Sequence, residues 1–137
     1  DPGALAVGLA HQAGVEVIPL VGPSSILMAL MASGMNGQSF AFHGYLPIEK
    51  HDRVKAIHKL ETESRVKNQT QIFIETPYRN NSLIQDLLNN CQKNTLLCVA
   101  ADITGPGQFI KTAGIAKWKT EIPDLNKRPA IFLLQGL

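Results

Sequence analysis

The chain has 137 residues, of which 45% are hydrophobic and 18% charged, with a formal net charge of +2. That length makes one domain with a real core, and the composition is that of an ordinary soluble globular protein. No apolar run approaches the roughly 20 residues of a membrane span, the residues present carry no signal-peptide pattern, and so mild a charge argues for no particular anionic partner.

Cys91 and Cys98 are too few for a disulfide framework and read as buried thiols in a reducing compartment, so the cytoplasm is the expected location. The sequence opens on Asp1 rather than Met, and Asp1-Pro2-Gly3 has the look of a longer motif's tail, so a fragment is expected.

In chain order, Asp1 reads as an N-cap and Pro2 as a first helical residue, because proline has no N–H to lose there. A short helix over 4–13 comes next, and Gly14 stops it. Residues 15–20 (V-E-V-I-P-L) form an apolar run expected to be a parallel strand covered on both faces. It breaks at Gly22-Pro23 and restarts as a helix over 24–33, ended by Gly34. A second strand is read over 40–47, with His43 a satisfied core histidine. Over 51–66, Val54, Ile57, Leu60 and Glu61 fall at helical spacing, placing that helix on the surface with a narrow buried stripe.

Residues 71–75 make a third strand. Thr76 caps the next helix with Pro77 at its first position, and Ile84, Leu87, Leu88 and Cys91 repeat at helical spacing. A fourth strand spans 96–101 and a loop spans 104–107. A short strand over 108–112 runs antiparallel if that loop is a hairpin. Residues 115–119 suggest a helical turn with Trp118 over the sheet edge, 122–128 a polar loop, and 130–134 a closing strand. The sum is α/β: an open mixed, mostly parallel five-stranded sheet with helices on both faces.

Three loops at strand ends are the candidates for chemistry, since ligands of open α/β sheets sit at the carboxyl edge. The first, 21–25, offers a helix N-terminus to a polar or anionic group, or is a plain turn in which Ser24 caps its helix. The second carries Glu75, Thr76, Tyr78 and Arg79; the alternative is a cap with an exposed ion pair. In the third, Asp102 and Thr104 precede Gly105, which allows close backbone approach, and a simple hairpin remains open. His11, His51 and His58 share no metal spacing with His43, and there is no nucleophile elbow, phosphate loop or paired-cysteine zinc signature. No metal is expected.

Together the motifs resemble a known family. Asp1-Pro2-Gly3, V-I-P-L-V-G-P-S-S over 17–25, A-S-G over 32–34, F-x-F-x-G-Y-L-P over 40–47 and I-F-I-E-T-P-Y-R over 72–79, in this order and spacing, resemble the tetrapyrrole methylase superfamily. Within it the likeness is to the branch of ribosomal RNA small-subunit methyltransferase I, which methylates a cytidine ribose 2′-hydroxyl.

The resemblance implies two α/β domains with S-adenosylmethionine between them. Residues 1–14 would be the end of the first domain's final motif and a linking helix, and 15–137 the C-terminal domain. It implies cofactor contacts at Gly22, Pro23, Ser24, Ser25, Glu75, Thr76 and Thr104, and acceptor contacts at Tyr45 and Arg79. Arg53 and Lys55 are further candidates for RNA phosphates, with solvated helix faces the plainer reading. Where the branch has R-E-L-T, this sequence has A-D-I-T over 101–104, and Asp102 and Glu75 are the acids available as a general base.

The expected partner is RNA of the small ribosomal subunit, with a tetrapyrrole ring as the alternative acceptor and a homodimer as the expected assembly. A non-enzymatic RNA-binding or dimerisation module is the competing reading.

Overall fold

The computed structural model describes residues 2–137; the expected Asp1 cap lies outside them. Helix α1 (Pro2–Gln12) ends as its sequence predicts. Gly14 adopts φ 69°, and the N–H of Val15 reaches back to the Ala10 carbonyl at 2.9 Å, closing the last turn.

The next segment departs from expectation. Residues 15–24 form no strand, and every apolar side chain from Val15 to Val21 faces solvent. The run has the composition of a covered strand, but a strand needs a partner ladder, and nothing among the described residues pairs with it. Helix α1 likewise buries no residue.

Compact structure begins at α2 (Ser25–Ser33), whose C-cap Gly34 takes φ 72°. Beyond it come β1 (Phe40–Tyr45), α3 (Lys50–Lys67), β2 (Thr70–Ile74), a 3-10 turn (Pro77–Arg79), α4 (Asn80–Asn90), β3 (Leu96–Ala101), β4 (Phe109–Gly114), α5 (Ile115–Trp118) and β5 (Ala130–Gln135). The five strands lie in the order β1-β2-β5-β3-β4. Only β1 and β2 pair parallel; β2–β5, β5–β3 and β3–β4 are antiparallel. The sheet is therefore mixed rather than mostly parallel. A continuous apolar run reports burial on both faces, not direction, and β5 inserts antiparallel between two strands that point the same way.

Alternation sorts the side chains of the central strands onto two faces. Phe73, Leu97, Val99, Phe132 and Leu134 join the larger core with Ile57, Leu60, Leu83, Leu87 and Trp118 of α3, α4 and α5. Phe73 and Phe132 face each other across the ladder with stacked rings 6.0 Å apart. Trp118 is fully buried, its indole N–H donating to the Leu97 carbonyl at 2.8 Å. On the opposite face Ile72, Cys98, Ala100, Ile131 and Leu133 meet Ala29 and Leu30 of α2.

His43 corrects another expectation. It lies exposed on edge strand β1, its Nε2 2.6 Å from Gln71 Oε1. A bulge between Phe42 and Tyr45, with Gly44 at φ 66°, turns the strand there.

Candidate cofactor and acceptor site

Because β1, β2 and β3 all point the same way, their carboxyl ends share one edge of the sheet with the start of β5. That edge carries a cleft of about 710 Å³, in the size range of small-molecule sites. Ser25 from α2 stands at one side. Ile74, Glu75 and Pro77 come from the end of β2, residues 102–107 from the loop after β3, and Pro129, Ala130 and Ile131 complete the floor. Of the three candidate loops, the structure brings Ser25, Glu75, Asp102 and Thr104 to one cavity. Gly22, Pro23 and Ser24 do not line it; they belong to the exposed stretch before α2.

The loop after β3 is held by an arginine from the polar loop that precedes β5. Arg128 Nε donates to Asp102 Oδ2 at 2.6 Å, and Nη2 to the Gly107 carbonyl at 2.6 Å. Asp102 and Thr104 both take positive φ, 50° and 67°. The Thr104 N–H is occupied by Gln108 Oε1 at 2.8 Å. A Cβ on Gly105 would lie 3.1 Å from the Asp102 carbonyl oxygen, a tight contact that would push the turn outward by a few tenths of an ångström.

A second cavity, about 500 Å³, lies beside the first and is lined by Tyr45, Leu46, Pro47, Ile48, Glu75, Thr76 and Arg79. Tyr45 and Arg79 are thus together, and Thr76 faces this cavity rather than the first. Glu75 lines both. Its Oε1 accepts from the Thr76 N–H at 2.6 Å and from Arg79 Nε at 3.2 Å. Thr76 precedes the 3-10 turn without a side-chain capping bond.

Arg53 belongs with neither solvent nor RNA in this structure: it is 4% exposed. It lies 2.7 Å from Asp86 and 3.5 Å from Glu75, and donates to Ser82 Oγ at 2.9 Å. One signal in the sequence points there. Arg53 precedes Ile57 by four residues and Leu60 by seven, which puts it on the buried face of α3. Among the described residues no group of three or more His, Cys, Asp or Glu side chains could hold a metal ion, and no helix is long and apolar enough to cross a membrane.

No family model matches the chain. Among solved structures, the methyltransferase CobJ superposes with a TM-score of 0.56 at 18% identity, covering 98% of this chain and 56% of that one. A protein described as a putative diphthine synthase, from Entamoeba histolytica, gives 0.62 at 16% identity, covering 96% and 58%. The chain shares its fold with both.

Sequence relatives narrow the class. The chain is 32% identical to ribosomal RNA small subunit methyltransferase I of Vibrio cholerae over 139 residues, taking in 99% of this chain and 47% of that protein. The namesake proteins of Buchnera aphidicola from Acyrthosiphon pisum and of Escherichia coli O157:H7 match at 30% and 27%. The chain is similar to the ribosomal RNA small subunit methyltransferase I proteins, and it spans about half the length of the relatives it matches.

Proposed function

We propose that the chain is the C-terminal half, residues 15–137 with 1–14 as the link, of an S-adenosylmethionine-dependent methyltransferase acting on ribosomal RNA of the small subunit. One observation carries this reading: Ser25, Glu75 and the loop from Asp102 to Gly107, far apart in sequence, converge on one cleft at the sheet's carboxyl edge. The uncovered apolar surface of α1 and residues 15–21 supports a second domain as its cover.

The residues present fit the cofactor. Ile74, Ala100, Ala130 and Ile131 give an apolar floor suited to an adenosine, and Ser25 and Glu75 supply polar groups at its margin. Gly105 and Gly107 let the backbone beside Thr104 approach a ligand. Gly22, Pro23 and Ser24 would reach it only once the stretch before α2 is covered.

When bound, S-adenosylmethionine supplies a methyl group on a sulfonium, ready for in-line displacement. The chain's part is to position the acceptor, which supplies much of the acceleration. In the second cavity Arg79 would meet a phosphate and Tyr45 would stack on a base, leaving the ribose hydroxyl toward Glu75. Of the two acids, Asp102 is the more accessible as a base. Its side chain is 28% exposed and only Oδ2 is held by Arg128, whereas the Glu75 carboxylate is 1% exposed with both Arg53 and Arg79 beside it. Glu75 then orients rather than accepts the proton.

The reading brings with it a cytoplasmic homodimer. Methyl transfer to small-subunit particles, with uroporphyrinogen as the control acceptor, tests it. The full-length protein should label the RNA and not the tetrapyrrole, and Asp102→Ala should abolish labelling. Labelling of the tetrapyrrole alone would overturn the assignment of the acceptor.

A further inference from the structure

Arg53 touches neither cavity, yet it sits at the centre of the most heavily charged interior region of the molecule. Burying a guanidinium costs several kcal/mol unless its partners are well placed. Here α3 contributes Arg53, α4 contributes Asp86 and Ser82, and the end of β2 contributes Glu75, with Arg79 completing the set from the 3-10 turn. Two carboxylates face two guanidiniums, so the charges cancel.

The hydrogen bonding does not close as neatly. Arg53 Nε and Nη1, Glu75 Oε2 and Thr76 Oγ1 are buried without a hydrogen-bond partner, and the close contact of Arg53 with Asp86 Oδ2 lies outside hydrogen-bond geometry. As a device for stability this is a poor choice, because a partly satisfied network is worth less than an apolar core of the same volume. Its place in the fold offers another use. Glu75, its Oε2 3.5 Å from Arg53 Nη1, is the residue common to both cavities, and its other oxygen accepts from Arg79 at the second.

We propose that Arg53 is a positioning residue for methyl transfer. Anchored on Asp86, it fixes Glu75 in the wall between the cavities, and through Glu75 it sets Arg79, so that the acceptor strand is registered against the cofactor. The inference rests on the reading that the first cleft takes S-adenosylmethionine and the second the RNA. The order of contact is Asp86, Arg53, Glu75, Arg79, with the last open to solvent at 39% side-chain exposure. A small displacement of Arg53 passes through Glu75 to Arg79 in the second cavity, and misplacement of the acceptor by about 1 Å costs up to ~100-fold in rate.

The test uses the full-length protein with Arg53→Lys, Arg53→Met and Asp86→Asn. Lysine keeps the charge but not the planar fork that spans two carboxylates. Unfolding midpoints, the dissociation constant for S-adenosylmethionine, and kcat and KM for small-subunit particles are measured on each. In folded Arg53→Lys, kcat/KM for the RNA should fall about 10- to 100-fold while cofactor affinity changes less than about threefold. Asp86→Asn should lose activity in the same direction, and lysine should retain more than methionine.

Should Arg53→Met fail to fold, the lysine variant decides. Activity per folded molecule within about twofold of wild type in Arg53→Lys overturns the inference alone. A wild type that neither binds S-adenosylmethionine nor methylates RNA overturns the underlying function and the inference with it.

Discussion

Leu20 gives the sharpest contrast between what its neighbourhood resembles and what it does. It lies 91% exposed within residues 15–24, which pair with no strand. Truncation to alanine removes atoms already in water, so Leu20→Ala should change the stability of this chain by no more than about 0.5 kcal/mol. Leu133 in β5 is the reference, fully buried in the same cluster as Ala29 and Leu30 of α2. There the same truncation leaves a cavity and should cost about 2–5 kcal/mol. Urea unfolding of both variants, monitored by circular dichroism, measures the pair. A loss above about 1.5 kcal/mol for Leu20→Ala would mean that residues 15–20 are a packed strand within this chain, and the uncovered conformation of that segment would be wrong. In a protein where a second domain covers the segment, Leu20→Ala should instead cost about 2 kcal/mol or more.

Within the buried charge cluster, removing the cation should hurt more than removing one anion. Arg53→Met strands two carboxylates and should cost about 3–5 kcal/mol, whereas Glu75→Gln keeps the bond from Thr76 N–H, leaves Arg53 on Asp86 and should cost about 1–2 kcal/mol; the opposite ranking in chemical denaturation would refute the partner assignment. Arg128→Ala releases the loop after Asp102, and because the pair is about two-thirds buried a loss of ~1 kcal/mol, or about fivefold in cofactor affinity, is expected in a calorimetric titration of the full-length protein. Burial, and then the charge of Glu61, push the Cys91 thiol up to about 12, and burial raises that of Cys98. Neither should be alkylated by iodoacetamide at about pH 8 in the folded chain, both should be after unfolding, and mass spectrometry distinguishes the two.

Much of this architecture is legible in the sequence because local signals and the tertiary environment agree. β3 occupies the same six residues as its apolar run, and α4 matches the repeat at Ile84, Leu87 and Leu88, all buried. The hairpin through Gly105 and Gly107 and the burial of Trp118 also agree. The failures have one cause: pattern reports how much a segment needs cover, not what covers it. Residues 15–20 carry the pattern of a covered strand, but no strand among the described residues pairs with them. Strand direction is equally hidden, since Ile131, Phe132, Leu133 and Leu134 are buried whichever way β5 runs.

At the site, the loops at the strand ends are visible because turn residues and acids stand out between apolar runs. Their supports are not. The charge of Arg53 suggests a solvated face, although its spacing to Ile57 and Leu60 places it inward. Arg128 sits in a stretch without periodicity, and only the fold brings it to Asp102.

If this chain supplies one wall of an S-adenosylmethionine cleft whose other wall belongs to a second domain, cofactor affinity must depend on both. Calorimetric titration of S-adenosylmethionine into the full-length protein and into the 137-residue chain tests this most directly. Saturable binding by the full-length protein, and at least about 100-fold weaker binding by the chain alone, is the predicted result. No binding by the full-length protein at about 1 mM cofactor, or equal binding by both, would contradict it.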